Sequence, residues 1–424
     1  MPLVRVLSVL SLIAAVTMTG CGREPASNGS AAGAAASALP PLVPLAVAAA
    51  PGSAEPHLSA NGGEVVLSWI EPEGDGYALK YARLRGDAWD VPAVAARGDH
   101  WIVSAADPPA VVPVSARLWV AHWRVEAAEP YAYDVATAVS ADAGVAWSTP
   151  RLLNDDGTPT EHGFVSIFPW GDDAGALWLD GRDLAAENDN DDVDLERLAS
   201  LATSLRVARL GADGALLEQS VVDERVCDCC STGAVVGSAG LLIVYRNRSP
   251  EEIRDIAVRR RMADAWSEPV MLGPDGWEIE GCPVNGPAID ADGAAAAVAW
   301  FTAAGNRPLL RAAFSADAGA TFGAAIDVDA AGAIGHAAIA MLRADAAAVA
   351  WWRRAAGGAE LGVREVSSSG ELGPVRVLAT SAESRPESVP QLLRSRDRLL
   401  LAWTDAAEPG RVSTAYVALD GGGR

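Results

Sequence analysis

The sequence predicts an all-β fold in which one four-stranded unit is repeated around a ring. The first observation is an apolar run that ends in an aromatic residue and recurs seven times. The second is the spacing of these aromatics, which follow one another at steps of 54, 55, 67, 55, 51 and 52 residues. The third is period-2 alternation of apolar and polar side chains beside each run, which favours strands. A self-similar period of about 50 residues built from short strands is typical of a β-propeller. The seven aromatics are Trp69, Trp123, Trp178, Tyr245, Trp300, Trp351 and Trp403.

Each repeat contains an inner segment, the aromatic-ended run, an alternating segment and an outer segment, so we expect four strands per blade. Seven runs predict seven blades, with six blades as the alternative. The last repeat ends with residues 412–419 and has no outer segment of its own. Residues 43–49, before the first inner segment, resemble the outer segments of other repeats. We therefore expect this N-terminal strand to complete the last blade and to remove an open sheet edge.

The length and charge of the chain restrict its organisation and its partners. The repeats cover residues 41–419 of 424, and because a propeller is a closed ring we predict one domain over this range. The formal charge of −22 at pH 7 argues against binding nucleic acid through a basic face. No nucleic-acid partner is therefore expected.

The first 20 residues have the pattern of an export signal, with Arg5 before an apolar run at residues 6–16. The following Met-Thr-Gly-Cys21 resembles the bacterial lipobox, in which the cysteine becomes lipid-modified and N-terminal. This resemblance implies a signal peptide at 1–20, lipidation at Cys21, and an exported protein held at the membrane, at its periplasmic face or in the outer membrane. Residues 21–40, rich in Ala, Gly, Ser and Pro, are predicted to form a flexible tether. A plain secretory signal and a short anchor helix are the alternatives.

Two predicted turns share the pattern Ser-x-Asp-x-Gly-x-x-aromatic, at residues 140–147 and 315–322. The Asp can accept hydrogen bonds from backbone N–H groups of its own turn, and the Gly permits positive φ. The pattern resembles the Asp-box of the sialidase-like, or BNR-repeat, propellers, a family in which sialidases themselves have six blades. We interpret it as a structural turn on the outer rim. Its residues are Ser140, Asp142, Gly144, Trp147, Ser315, Asp317, Gly319 and Phe322.

Four cysteines follow Cys21, and they stand at equivalent points of the fourth and fifth repeats: Cys227, Cys229, Cys230 and Cys282. This equivalence predicts that they lie close together. Disulfides are expected in an exported protein; four cysteines allow three pairings, and a bond between the adjacent Cys229 and Cys230 would be strained. A thiolate site for Zn or Cu and free or redox-active thiols are the alternatives. The phrases Cys-Asp-Cys-Cys and Gly-Cys-Pro-Val-Asn-Gly-Pro resemble those of exported bacterial proteins with sialidase-like propellers.

Several arginines of the third and fourth repeats are predicted to lie at similar heights, on the face where loops before the inner strands and after the aromatic runs converge. Arginine binds carboxylates or phosphates bidentately, so an anionic ligand is one interpretation. Salt bridges to acids such as Asp180 and Asp255 are the other. The candidate ligand-binding residues are Arg182, Arg206, Arg246, Arg248, Arg254 and Asn285.

An acidic segment at residues 183–198 explains the long step of 67 residues. Asp189 and Asp191 stand at alternate positions and could ligate Ca²⁺, with a solvated acidic loop as the alternative. We otherwise expect no cofactor, with Zn or Cu at the cysteines as the alternative named above.

The resemblance to sialidase-like propellers covers residues 41–419. A sialidase would need an arginine triad, a Tyr activated by Glu, and an Asp as acid and base. The family's early Arg-Ile-Pro motif is absent from the sequence, and among the six tyrosines only Tyr245 is embedded among arginines. We therefore assign no catalytic residue. The leading prediction is a lipid-anchored exported propeller that binds a ligand or partner, such as an acidic glycan or another exported protein. The alternatives are an exo-sialidase-type glycoside hydrolase and a metal or redox lipoprotein that uses the four cysteines.

Overall fold

The computed structural model of the chain describes residues 38–187, 201–262, 265–383, 386, 388–405 and 409–419. These residues form a seven-bladed β-propeller, which confirms the predicted all-β fold and blade count. Its strands are accompanied by two short 3-10 helices, Arg182–Glu187 and Ala304–Asn306, among the residues described. In those same ranges no helix is long and apolar enough to cross a membrane. The predicted signal peptide, Cys21, most of the tether, Asp189 and Asp191 lie outside the described residues.

The strands of each blade run antiparallel, from an inner strand at the axis to an outer strand at the rim. Blade 1 contains β2 (Ala54–Asn61), β3 (Glu64–Glu73), β4 (Gly76–Arg85), β5 (Ala88–Trp89) and β6 (Ala93–Gly98). Blade 2 contains β7 (Trp101–Ile102), β8 (Ala110–Pro113), β9 (Trp119–Glu126), β10 (Tyr133–Ser140) and β11 (Arg151–Leu152). Blade 3 contains β12 (His162–Trp170), β13 (Asp173–Asp180), β14 (Ser204–Leu210) and β15 (Leu216–Asp223).

Blade 4 contains β16 (Gly233–Gly237), β17 (Gly240–Arg246), β18 (Ile256–Met262), β19 (Ala265–Trp266) and β20 (Val270–Leu272). Blade 5 contains β21 (Ala288–Asp292), β22 (Ala295–Thr302), β23 (Leu309–Ser315) and β24 (Ile326–Asp329). Blade 6 contains β25 (Ala333–Arg343), β26 (Ala346–Ala355), β27 (Gly358–Ser367) and β28 (Arg376–Ser381). Blade 7 contains β29 (Gln391–Ser395), β30 (Arg398–Asp405), β31 (Arg411–Ala418) and, as its outer strand, β1 (Leu42–Pro44).

The ring is closed by the N-terminal strand, as predicted. β1 pairs antiparallel with β31, with Leu42 opposite Val417 and Pro44 opposite Ala415. Just after β1, the backbone N–H of Leu45 donates to the carbonyl of Thr414 at 2.9 Å. The first and last described segments of the chain therefore share one sheet.

The aromatic-ended runs form the second strand of every blade, and their rings pack between neighbouring sheets. Trp69, Trp178 and Trp351 are fully buried. The indole N–H of Trp69 donates to Glu71 at 2.7 Å, and that of Trp178 to Asp180 at 2.8 Å. Residues two apart on a strand share a face, so the carboxylate satisfies an indole N–H that burial would otherwise leave unpaired.

The two Ser-x-Asp turns connect the third and fourth strands of blades 2 and 5. Ser140 Oγ donates to Asp142 Oδ1 at 2.7 Å and accepts the N–H of Gly144 at 2.8 Å, and Ala146 N–H donates to the same carboxylate at 2.9 Å. The second turn repeats this arrangement. Ser315 Oγ donates to Asp317 Oδ1 at 2.8 Å and accepts the N–H of Gly319 at 2.9 Å, and Thr321 N–H donates to Asp317 Oδ1 at 2.9 Å. Hydrogen bonds from the Thr321 backbone and side chain and from Ser315 lower the pKa of Asp317 to about 2. Trp147 and Phe322 pack against the preceding blade.

The strand register defines two faces of the ring. Ala54 at the start of β2 pairs with Ile70 near the end of β3, and Ala288 at the start of β21 pairs with Ala299 near the end of β22. Loops before the inner strands and loops after the second strands therefore meet on one face, which we call the upper face. The Ser-x-Asp turns lie on the opposite face because the third strands run toward it.

Candidate functional site

The inner strands of the seven blades enclose a channel along the axis, with a cavity volume of about 540 Å³. His57 of blade 1, Asp107 and His122 of blade 2, and Phe164 of blade 3 line it toward the upper face. Asp107 precedes its inner strand, and Phe164 stands near the start of β12. The upper part of the channel therefore carries several titratable groups.

Three inner strands, β2, β12 and β25, begin with a bulge in which a non-glycine residue adopts positive φ. The residues are Glu55 (55°), Phe164 (57°) and His336 (56°). A side chain of the preceding blade binds the backbone N–H of each one. Glu55 donates to Thr404 Oγ1 at 3.2 Å, Phe164 to Asp107 Oδ2 at 2.7 Å, and His336 to Asn285 Oδ1 at 2.8 Å. Because positive φ is unfavourable for residues with a β-carbon, these bonds stabilise strained backbone and connect neighbouring blades.

Two glycines leave room for these links. A β-carbon at Gly163 would lie 2.6 Å from Oδ2 of Asp107, and one at Gly335 would overlap the side-chain amide of Asn285. Asp107 and Asn285 each stand three residues before the first residue of an inner strand, β8 and β21 respectively. The structure therefore places Asn285, a predicted ligand-binding residue, in a hydrogen bond between blades 5 and 6.

A buried carboxyl pair lies between blades 1 and 2. Glu55 is 7% exposed, and its Oε2 has no hydrogen-bond partner among the described residues. Burial, and then the charge of Asp107, raise the pKa of Glu55 to about 8. Burial also raises the pKa of Asp107, although Arg124 opposes this, with its Nε 2.9 Å from Oδ2. Titratable groups perturbed in this way beside a cavity mark a candidate functional site.

Two histidines of the channel are held neutral by burial. The pKa values of His57 and His122 are both lowered to about 4, and for His57 the neighbouring His122 adds to the effect of burial. A neutral imidazole offers one hydrogen-bond donor and one acceptor. At neutral pH this part of the channel therefore carries uncharged imidazoles close to a protonated Glu55.

Charged side chains continue from this pair across the upper face. Nη1 of Arg124 lies 3.7 Å from Oε1 of Glu161, in the loop that leads into blade 3. Partial burial raises the pKa of Glu161, and the charge of Asp228 in blade 4 acts in the same direction. Asp228 in turn accepts a hydrogen bond of 2.9 Å from Nη1 of Arg254. Charges that influence one another therefore extend from blade 2 to blade 4.

Three arginines of the upper face converge on one carboxylate, Glu252. Arg248 binds it bidentately, with Nη2 to Oε1 at 2.8 Å and Nε to Oε2 at 3.0 Å. Arg254 Nη2 donates to Oε2 at 3.0 Å, and Arg225 Nη2 lies 3.9 Å from Oε1. Although partial burial acts to raise it, the hydrogen bonds from Arg248 and Arg254 lower the pKa of Glu252. We call these four residues the arginine cluster.

Three of the four side chains of the arginine cluster are partly exposed, and the fourth, Arg254, is 3% exposed. The side chains of Arg225, Arg248 and Glu252 are 19, 21 and 20% exposed. Glu252 lies in a tight turn, with φ of 60° and its N–H donating to the carbonyl of Ser249 at 3.0 Å. Burial, and then the neighbouring Arg248, lower the pKa of Arg225. The guanidinium groups therefore repel one another and depend on a bound carboxylate.

Arg182 and Arg206 surround a different carboxylate, in blade 3. Arg182 pairs bidentately with Asp180 at 2.7 and 2.8 Å, and Arg206 Nε lies 3.7 Å from the same group. His162 Nε2 lies 3.3 Å from Asp156 and 3.7 Å from Asp180. The two aspartates and His162 are close enough to ligate a cation. Arg182, however, also lies 3.4 Å from Asp156, and its positive charge disfavours a cation at these carboxylates.

Arg246 connects blades 4 and 5 instead of facing solvent. It is 1% exposed, and its Nη2 donates to the carbonyls of Asn285 at 2.8 Å and Phe301 at 2.7 Å. Nη1 donates to the carbonyl of Arg254 at 2.7 Å, and the guanidinium lies 4.8 Å from the ring centroid of Trp277. Burial lowers the pKa of Arg246 to about 9. Its hydrogen-bonding groups are used inside the fold.

Tyr245, the tyrosine embedded among arginines, is also buried, at 1% exposure. Its hydroxyl donates to Asp223 at 2.6 Å and accepts from Arg259 at 3.2 Å. Burial, and then the charge of Asp223, raise the pKa of Tyr245. A nucleophile needs an accessible oxygen, and the buried Tyr245 hydroxyl is held between Asp223 and Arg259.

The four cysteines form two disulfides, Cys227–Cys230 and Cys229–Cys282. Their Cα–Cα distances are 5.7 and 5.9 Å, within the usual range. The predicted disulfide bonding and proximity are therefore both found, and one of the three pairings is selected. Metal ligands must be thiolates, so Zn or Cu at this position would require prior reduction.

The sequence interpretation missed Glu55, Asp107, Arg124, Arg225 and Glu252. Two signals were available. Glu252 stands four residues after Arg248 and two before Arg254, and Asp107 occupies the same offset before its inner strand as Asn285. Arg225 comes from the preceding repeat, so only the fold brings it to Glu252.

The propeller fold is shared with carbohydrate-active proteins of known structure. The polysaccharide lyase Uly1 is similar with a TM-score of 0.52 and 9% identity, over 89% of this chain and 92% of that one. A Hadza microbial sialidase, Hz136, is similar with a TM-score of 0.41 and 14% identity, over 70% of this chain. The match covers 63% of the sialidase chain, which is less than two thirds of its length. The NanB sialidase of Streptococcus pneumoniae is similar with a TM-score of 0.42 and 7% identity, over 84% of this chain and 83% of that one. No family model matches the chain, and no curated protein sequence does so. At these identities the likeness shows the fold alone.

Proposed function

We propose that the protein is a carbohydrate-binding propeller that recognises an acidic sugar on its upper face, at the arginine cluster. The observation that carries the proposal is the convergence of Arg225, Arg248 and Arg254 on the single carboxylate of Glu252. Bidentate arginine pairs are a strong and geometrically specific means of binding a carboxylate. A uronic or sialic acid carries the same group.

In this proposal Glu252 occupies the site as an internal carboxylate that the ligand displaces. Its turn has positive φ, which costs free energy, and its side chain is partly exposed. Displacement exchanges one carboxylate for another, so the arginines keep their hydrogen bonds and the net cost is small. Cooperation of three guanidinium groups then favours an acidic ligand over a neutral one.

Three further observations support a glycan as the ligand. Tyr131, in the loop between β9 and β10, is 85% exposed and offers an aromatic surface. The similar fold of a polysaccharide lyase supports a carbohydrate ligand by analogy. The predicted export signal and the lipobox-like motif support a site outside the cytoplasm, and in this proposal Cys21 anchors the protein to a membrane.

The test is titration of the full chain with short oligomers of a uronic acid and with neutral oligosaccharides of equal length, by isothermal calorimetry. Arg248→Ala removes the bidentate arginine and is expected to weaken binding about tenfold or more. Glu252→Gln removes the internal competitor's charge and is expected to tighten binding. Glu73→Gln, at an exposed carboxylate that pairs with Arg97, is the matched control and should leave binding unchanged. Equal affinity for acidic and neutral oligomers, or no binding by the native chain and Glu252→Gln, would overturn the proposal.

Catalysis at the upper end of the channel is a second candidate function, and the single observation that favours it is the raised pKa of Glu55. With a pKa of about 8 its carboxyl keeps a proton at neutral pH, as a general acid must. Release of fluorophore from a sialoside or a uronic-acid glycoside by the native chain, and its loss in Glu55→Gln, would support glycoside hydrolysis. Absence of turnover of both substrates by the native chain would contradict this second candidate.

A further inference from the structure

The two disulfides differ in their access to solvent. Cys227, Cys229 and Cys230 are buried, whereas Cys282, in the loop between β20 and β21, is exposed. Gly281 beside it is exposed as well, and a β-carbon there would meet nothing within 4 Å. A dissolved thiol can therefore reach one end of the Cys229–Cys282 bond, which we call the outer disulfide. The Cys227–Cys230 bond, the inner disulfide, is shielded.

The outer and inner disulfides contact each other. Sγ of Cys229 lies 3.9 Å from Sγ of Cys227. Disulfide exchange needs a thiolate next to a disulfide sulfur, and a thiolate released at Cys229 would be in that position. Attack on Cys230 instead would create a bond between adjacent residues, which is strained. Cys227 is therefore the sulfur that receives the attack.

A positive charge stands beside this contact. Nη1 of Arg254 lies 3.4 Å from Sγ of Cys227 and donates to Asp228 at 2.9 Å. Guanidinium groups stabilise nearby thiolates and so lower the barrier to exchange. The two loops that hold the cysteines, together with Arg254, thus combine an accessible sulfur, a sulfur–sulfur contact and a cation.

We propose that these four cysteines form a thiol–disulfide exchange site that reacts, through Cys282, with a thiol-bearing molecule. In the first step the external thiolate attacks Sγ of Cys282, a mixed disulfide forms, and Cys229 leaves as a thiolate. A second external thiol then releases Cys282 as a thiol. The external thiols are oxidised to their disulfide, and the outer disulfide is reduced by two electrons.

The inner disulfide takes part in the second step. The Cys229 thiolate attacks Sγ of Cys227, the Cys227–Cys229 bond forms, and Cys230 leaves as a thiolate. No electrons are gained or lost in this step, because one disulfide replaces another. The free thiol is thereby passed between Cys229 and Cys230, and reoxidation can join either one to Cys282. This proposal does not depend on carbohydrate binding.

The first experiment uses the full chain purified without reductant and exposed to graded ratios of reduced to oxidised glutathione. Thiols are trapped by alkylation under acid quench and located by peptide mass spectrometry, while tryptophan fluorescence reports the fold. Two alkylated cysteines per folded chain are expected, with Cys282 always one of them. The outer disulfide should be reduced about tenfold faster or more than the inner one, because exchange depends on access. Reduction of all four cysteines together, or only on unfolding, would overturn the proposal.

A second experiment follows the transfer itself. Cys282→Ser leaves one unpaired thiol, and the exchange predicts alkylation at both Cys229 and Cys230. Cys230→Ser leaves Cys227 unpaired, and the reverse attack on Cys229 predicts alkylation at the exposed Cys282. Cys227→Ser is the matched control, because it removes the sulfur that both transfers share, and only Cys230 should be alkylated. Alkylation confined to Cys229 in the first variant and to Cys227 in the second would refute the transfer.

Discussion

Replacing Glu55 with Gln is expected to change how the stability of the ring depends on pH. The Glu55 carboxyl is buried, its Oε2 lacks a hydrogen bond among the described residues, and its pKa is raised from 4.5 to about 8, first by burial and then by Asp107. Between these two pH values the folded protein keeps a proton that the unfolded chain has lost. Stability from this group is therefore complete below pH 4.5 and is lost as pH rises toward 8.

The size of the effect follows from that interval. One pKa unit corresponds to about 1.4 kcal/mol, so the interval from 4.5 to about 8 corresponds to about 5 kcal/mol. Gln has nearly the same shape and cannot ionise. The free energy of unfolding of Glu55→Gln, relative to the native chain, should therefore rise by about 1.4 kcal/mol per pH unit across this range.

Equilibrium urea unfolding, followed by tryptophan fluorescence at half-unit pH steps, measures this difference. His57, His122 and Asp290 also titrate with shifted pKa values, but they are present in both proteins and cancel in the comparison. Glu73→Gln is the control, because its exposed ion pair contributes little to stability. Parallel profiles of the native chain and Glu55→Gln between pH 4.5 and 8 would refute a protonated, buried Glu55.

Two further substitutions test the channel and the links between blades. His122→Gln should make the free energy of unfolding less dependent on pH at acid pH. Because the pKa of His122 is lowered from 6.5 to about 4, the stability that the neutral imidazole contributes is complete above pH 6.5 and is lost as pH falls toward 4. The loss over this interval corresponds to about 3 kcal/mol. An unchanged acid side in urea unfolding would contradict this assignment. Gly335→Ala should cost about 2–4 kcal/mol, since its φ is 123° and the new methyl group would displace Asn285 from the N–H of His336. Gly281→Ala, where a β-carbon meets nothing within 4 Å, is the control, and equal melting temperatures for the two variants would count against the link.

The period of the aromatics was sufficient to predict the ring, because each repeat buries one ring between sheets and the spacing therefore counts blades. The outer strand missing from the last repeat was equally informative, and β1 indeed supplies it. The same pattern predicted which loops share the upper face, since strand direction alternates within each blade. These features depend on residue type and spacing alone.

The partners of the arginines could not be predicted in this way. Arg246 and Arg248 are two residues apart, yet one is buried against backbone carbonyls and the other binds Glu252. The difference arises because β17 ends at Arg246, whereas Arg248 lies in the following loop together with Glu252. Asn285 likewise lies in a loop that the sequence predicts to bind a ligand, but its side-chain oxygen accepts a hydrogen bond from the backbone N–H of His336. Contacts between repeats arise from packing, and spacing along the chain does not encode them.

The placement of β1 has a consequence for the order in which the molecule is made. Leu45 and Thr414, which hydrogen-bond within blade 7, are 369 residues apart, so the outer strand of blade 7 is synthesised before the other six blades and its partner β31 after them. A nascent chain can assemble the intermediate blades as they emerge, because each of them draws its strands from one contiguous stretch. Blade 7 has to wait until β31 has been synthesised. The last event in folding is therefore closure of the ring, and a chain truncated shortly before Arg411 would keep an open sheet edge however well its other blades had formed.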